Sequence, residues 1–221
     1  MKKAFTLLEL IFVIIVIGIL AVSILPRISD DSLERAALQV QSHIRYTQHL
    51  AIIDDKIEPN DSNWVKKRWQ IIFGKQNNSD DEWAYTIFSD TYGTSSGKPN
   101  KSEIAINPVN HNQRMTGGYN SAQELNVSSP TFIGMKTMNL GKTYGITDID
   151  FTCTQRIAFD YLGRPIKSDL SDNSQSYDTN DLITSNCNIV LKNSDDNITL
   201  VIYKQTGYSC ILDKTTGKCR N

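Results

Sequence analysis

The chain has almost no charge imbalance, with 23 Lys+Arg against 24 Asp+Glu over 221 residues. That excludes the clear basic excess of a general nucleic-acid binder, so any such role needs a local patch. Histidine is scarce. The three present (His43, His49, His111) lie far upstream of the four cysteines, none of which is spaced as CxxC, and this argues against a zinc site. GxSxG, the P-loop and the glycine-rich dinucleotide fingerprint are all missing. His43 and His49 are six residues apart, do not share a helical face, and read as surface polar residues. No catalytic residue is assigned, and the chain is not read as an enzyme. Internal repeats and long low-complexity tracts are absent, and the length allows one large domain or two small ones.

What is there is sharply polarised. The first quarter is apolar and then helix-like, whereas the remainder is rich in Asn, Ser, Thr, Asp and Gly, with short β-prone runs between. Cys153, Cys187, Cys210 and Cys219 all fall in the last third. An even count outside the cytosol reads as two disulfides, for which three pairings are open. Cys153–Cys187 and Cys210–Cys219 are favoured, because each joins neighbouring segments of the expected sheet region.

Phe5 to Leu25 is an apolar run of about 21 residues, or roughly 31 Å of helix, the thickness of a bilayer core. Glu9 is its one charge. Lys2 and Lys3 with Ala21-Val22-Ser23 suit a cleaved signal peptide, but the apolar stretch is long for one and opens with an acid. A plain signal anchor fits the length and leaves Glu9 unexplained. A carboxylate in hydrocarbon costs kilocalories unless paired, and so marks a function.

A third reading uses every residue. Met1-Lys2-Lys3, then Ala4, then Phe5-Thr6-Leu7-Leu8-Glu9, a stem containing Gly18, and Pro26 at its end resemble the N-terminus of type IV prepilins and type II secretion pseudopilins. Ala4 stands where that family usually has Gly. The resemblance implies cleavage at Ala4–Phe5 by a prepilin peptidase that also methylates the new amine. It implies that Glu9 aligns the incoming subunit by neutralising a neighbour's α-amine, since either charge alone is costly in a low-dielectric setting. It further implies that the stretch between Gly18 and Pro26 loses helix on assembly. Lys2 and Lys3 are expected to stay cytoplasmic. The chain is thus expected to be a single-pass bacterial inner-membrane protein with a periplasmic head, incorporated into a periplasmic or surface filament.

After Pro26, Leu33, Ala36/Ala37, Val40, Ile44, Thr47 and Ala51 recur at three- and four-residue steps. Pro26 should kink the rod. Strands are expected at Arg68–Phe73 and Trp83–Asp90, as a hairpin, and at Glu103–Asn107, Thr131–Thr137, Ile146–Phe151, Cys187–Leu191, Asn197–Tyr203 and Gly207–Leu212. Arg156–Ile166 reads as strand, turn and strand. The last third resembles the minor pseudopilins, through "FD..GRP" (Phe159 to Pro165) and a hairpin around Thr206-Gly207. The expected fold is therefore α+β and pilin-like: a long bent N-terminal helix, membrane-spanning in its first half, packed on an antiparallel β-sheet head. Its parts are a leader (1–4), a transmembrane helix (5–25), an amphipathic continuation (26–53) and a periplasmic β-rich head (54–221).

Two patches invite other chemistry. Asp169, Asp172, Asp178 and Asp181 offer oxygens of the type calcium prefers, in a spacing that matches no known loop, and a solvated polar loop is preferred. Trp64, Lys66, Lys67, Arg68 and Trp69 interleave indoles with cations, a mixture that binds single-stranded nucleic acid. A strand entrance with Trp69 in the core is preferred. No cofactor is expected. The favoured function is a structural minor pilin or pseudopilin of a type II secretion or type IV pilus-like filament. Its expected partners are other subunits, the prepilin peptidase, an inner-membrane assembly platform and membrane lipid. The rival is a DNA-binding minor pilin of a competence pilus.

Overall fold

A computed structural model describes residues 7–61, 63–91, 97–167 and 182–220, with the side chains of residues 21–31 excepted. The fold is α+β. Helix α1 (Leu7–Ile53) is followed by strands β1 (Trp69–Lys75) and β2 (Trp83–Ser89), a short helix α2 (Leu140–Tyr144), and β3 (Asp148–Phe151). Then come β4 (Arg156–Phe159), β5 (Pro165–Lys167), β6 (Cys187–Lys192), β7 (Asn197–Ile202) and β8 (Ser209–Ile211). The strands form two antiparallel four-stranded sheets, ordered β2-β1-β4-β5 and β3-β6-β7-β8.

The core lies between these sheets and the second half of α1. Leu33, Ala36, Ala37, Val40, Ile44, Thr47 and Ala51 are all buried, as a 3.6-residue period requires of one face. They meet Ile71 and Phe73 of β1, Ile157 and Phe159 of β4, and Ile189, Leu200 and Ile211 of the other sheet. In β6, Cys187, Ile189 and Leu191 point inward while Asn188, Val190 and Lys192 stay half-exposed, the two-residue alternation of a sheet with one buried face.

β2 is buried at every position, because residues 97–139 cover its far side. Ala84, Thr86 and Phe88 bridge to Asn139, Thr116 and Ile104, and Phe88, Ile104, Tyr119 and Leu125 close a second small core. Two strands expected here are therefore corrected. Glu103–Asn107 makes only single bridges and stops at Pro108, which has no N–H to donate. Thr131–Thr137 makes one bridge, at Gly134, and turns into a 3-10 segment at Lys136–Met138.

The expected architecture is corrected as well. The β part is two sheets rather than one head sheet, and only the second half of α1 packs on them. Among the described residues no helix is long and apolar enough to cross a membrane. A single-pass inner-membrane placement is accordingly not supported. Helix α1 runs through both Gly18 and Pro26 in the single chain, and the loss of helix expected between them belongs to the assembled filament.

Candidate functional site

Residues 7–20 form an apolar helix with no buried face. Leu7 is 78% exposed, Phe12 69% and Ile19 64%, and Glu9 sits among them. A helix that is apolar all round is built to be covered on every side. Burying half of its twelve large apolar side chains would contribute about 10 kcal/mol. At Gly18 a Cβ would meet nothing within 4 Å, so contacts inside the chain do not require glycine there. Ala4 and Phe5 lie outside the described residues.

The other half of α1 holds the head by polar contacts at the edges of its apolar stripe. Gln48 Nε2 donates to the carbonyls of Gly163 and Thr206, each at 2.8 Å. One amide thereby joins the Phe159–Pro165 turn to the Thr206-Gly207 turn, the two segments that carried the C-terminal resemblance. Asp160 is fully buried and shapes the first turn. Its carboxylate accepts from the backbone N–H of Leu162 and Arg164 and from Arg164 Nε at 2.7 Å. One turn of helix back, Gln41 Nε2 and Arg45 Nη2 donate to the Ser209 carbonyl at 3.0 and 2.7 Å, which occupies part of the β8 edge.

Further along, the Tyr85 hydroxyl accepts from Gln39 Nε2 at 2.8 Å and lies 2.7 Å from His43 Nδ1. Gln39 also donates to the Thr137 carbonyl and accepts from the Tyr144 hydroxyl. The arrangement has Tyr85 donating to a neutral imidazole. Burial pushes the His43 pKa down to about 4 and raises that of Tyr85. The surface reading of His43 is therefore corrected, whereas His49 is exposed. The signal was present in the sequence: His43 lies three residues after Val40 and four before Thr47, so it borders the apolar stripe. Gln39 and Gln48 were missed because a glutamine carries no periodicity signal.

The Trp64–Trp69 segment is engaged within the chain. Residues Trp64–Lys67 form a 3-10 turn with Val65 buried beneath it. Arg68 is buried and stacks its guanidinium 4.9 Å from the centre of the Trp64 ring. Lys67 pairs with Asp61 at 2.6 Å, a bond that holds the Asp61 carboxyl below its usual range. Trp69 donates its indole N–H to Asp54 and carries Lys56 over its ring. Lys66 is half-exposed. Base stacking needs open aromatic faces, and these two rings already hold cations of the same chain.

The four cysteines are joined as Cys153–Cys187 and Cys210–Cys219, with Cα separations of 5.3 and 5.5 Å. Asp169, Asp172, Asp178 and Asp181 lie outside the described residues, and no group of three or more potential metal-ligating residues occurs among the described ones.

These features define an α+β head on a helix whose leading part has no cover of its own. Comparison with protein-family models, with curated proteins and with solved structures gives no match.

Proposed function

We propose that this chain is a structural minor subunit of a type IV pilin-like or type II secretion pseudopilin filament. It is cut between Ala4 and Phe5 by a prepilin peptidase, and its leading helix packs among the helices of sister subunits. The observation that carries this reading is the exposed apolar helix of residues 7–20, with its one acid at Glu9, continuous with the helix that anchors the head. Sister helices supply the missing cover. Among them the α-amine of one processed chain meets Glu9 of the next, and pairing relieves the desolvation cost that each charge bears alone. Misregistered subunits leave a charge buried without its partner, which costs about 3–5 kcal/mol and selects the correct stagger.

N-terminal mass spectrometry of the mature chain tests this directly, with N-methylphenylalanine at Phe5 as the expected terminus. Glu9→Gln is expected to abolish incorporation while leaving the head folded. A mature chain that still begins at Met1, or full incorporation of Glu9→Gln, overturns the reading.

A further inference from the structure

Two carboxyl groups lie buried together just past the end of β2. Asp90 is 1% exposed and Glu103 is 5% exposed. The Ser89 N–H donates to the Glu103 carbonyl at 3.1 Å, and Phe88 bridges Ile104 in the antiparallel sense, so Asp90 and Glu103 sit on adjoining segments. Their side chains are hydrogen-bonded to each other. Ionised carboxylates offer only acceptors, so that bond exists only while the pair holds a proton.

Each carboxyl also holds one end of the same short segment. Asp90 Oδ2 accepts from the Gly97 N–H at 2.5 Å, and Glu103 Oε2 accepts from the Asn100 N–H at 2.7 Å. The Glu103 N–H donates back to the Asn100 carbonyl. Lys98, Pro99 and Asn100 form a wall of a cleft of about 470 Å³ that Tyr119 also lines. Tyr119 in turn belongs to the small core of Phe88, Ile104 and Leu125.

The charges around the pair, among the described residues, come from three segments. Arg156 of β4 acts on Asp90 and lies over the Phe88 ring. The Trp69–Ser89 pairing sets Arg68 across from Asp90, and its guanidinium stacks on Trp64. On the segment itself, Lys98 is exposed and Lys101 pairs with Glu124 at 2.8 Å. Burial foremost, with Glu103 beside it, raises the Asp90 pKa to about 6 against the opposing pull of the Gly97 N–H and Arg156.

We propose that Asp90 and Glu103 form a proton-operated latch: while they share one proton, residues 97–103 stay seated against β2, and loss of that proton releases them. Two buried charges of one sign cannot both be kept at close range. The segment is the part that yields, because it is tied to both carboxyls. Release opens the cleft and bares the Tyr119 side of the small core. The latch closes in mild acid, opposite in sense to His43, whose protonation opposes folding. It needs no partner chain and stands apart from the filament reading.

Amide hydrogen exchange of the full-length chain at about pH 5 and about pH 7.5, corrected for the intrinsic rate, tests this at Gly97 and Asn100. Their protection is expected to fall about tenfold over that rise, the change in opening constant for a carboxyl of pKa 3.8 when open and about 6 when closed. The Phe73 amide, bonded to the Gln155 carbonyl in the main core, is expected not to fall. Asp90→Asn keeps an acceptor for Gly97 and gains a donor for Glu103 without charge, so its protection is expected to stay high at both pH values. Glu103→Gln supplies the same test should the first variant not fold. Constant protection in the parent chain overturns the inference. So does a fall that persists in either variant, or one that Phe73 shares.

Discussion

The carbonyl oxygen of Gly163 lies 2.1 Å from the point where a Cβ on Gly207 would stand. The two residues are 44 positions apart, and both have positive φ, +78° and +66°. Gln48 reaches across to both turns from α1. Gly207→Ala must therefore strain a left-handed backbone and displace another chain segment at once. A loss of about 2–5 kcal/mol is expected in chemical denaturation. Gly163→Ala should cost less, because the nearest atom there is the movable end of the Gln48 side chain.

Gln48→Ala removes two hydrogen bonds to carbonyls without changing either turn's sequence. About 1–3 kcal/mol is expected, read as a fall of several degrees in Tm. An unchanged Tm would show that the turns hold each other without the helix.

The His43 imidazole gives the head a definite pH response. Its folded pKa, about 4, lies below the unfolded value of 6.5, so the unfolded chain takes up protons first as pH falls. Stability is full above about pH 6.5 and declines down to about pH 4, by about 3 kcal/mol for this one group. Asp90 works in the opposite sense. Burial foremost, with the Glu103 carboxylate beside it, raises its pKa to about 6, so below that value its protonation favours the fold. The His43 contribution is isolated by difference: His43→Phe should flatten the decline between pH 6.5 and 4 relative to the parent chain. Parallel curves for the two proteins would contradict the assignment.

Arg68 is expected to behave as a structural residue. Arg68→Ala should destabilise the head by about 1–2 kcal/mol through loss of the stacked guanidinium and its buried stem. Mobility-shift assays with single-stranded DNA should show no salt-sensitive binding that depends on Lys66, Lys67 or Arg68. A shift abolished by neutralising those cations would instead establish a nucleic-acid surface.

The two disulfides close loops of different length, with sequence separations of 34 and 9. Constraint of the unfolded chain grows with loop size, giving about 4 kcal/mol for Cys153–Cys187 and about 3 kcal/mol for Cys210–Cys219. Replacing Cys153 and Cys187 together by serine should therefore cost more than replacing Cys210 and Cys219, as measured by denaturant midpoints at equal slope.

The legible parts of this fold are those set by short-range periodicity. The stripe from Leu33 to Ala51 is visible because a helix repeats its buried face every three or four residues, and β1, β2, β6 and β7 because β-prone runs are bounded by turn residues. The division of the strands into two sheets is not visible. It depends on β1 pairing with β4 more than eighty residues away, a choice made by packing against α1 rather than by local pattern. Residues 97–139 defeat a periodicity reading for a related reason. Their contacts with β2 are single bridges, and their close approaches, such as Gly134 against Thr116, come from turns. At the candidate site, Glu9 was conspicuous as one charge in an apolar run. Gln48 became visible only once two distant turns were found side by side.

The last strand sits against the first helix: Ser209 is bonded to Gln41, 168 residues earlier in the chain. A ribosome adding about 5–20 residues per second reaches that serine roughly ten to thirty seconds after the glutamine has been joined. Throughout that interval the greasy side of the nascent helix has no β8 to rest on, and for most of it no β7. The head therefore cannot close its core on α1 until β7 and β8 have been made, long after the helix itself.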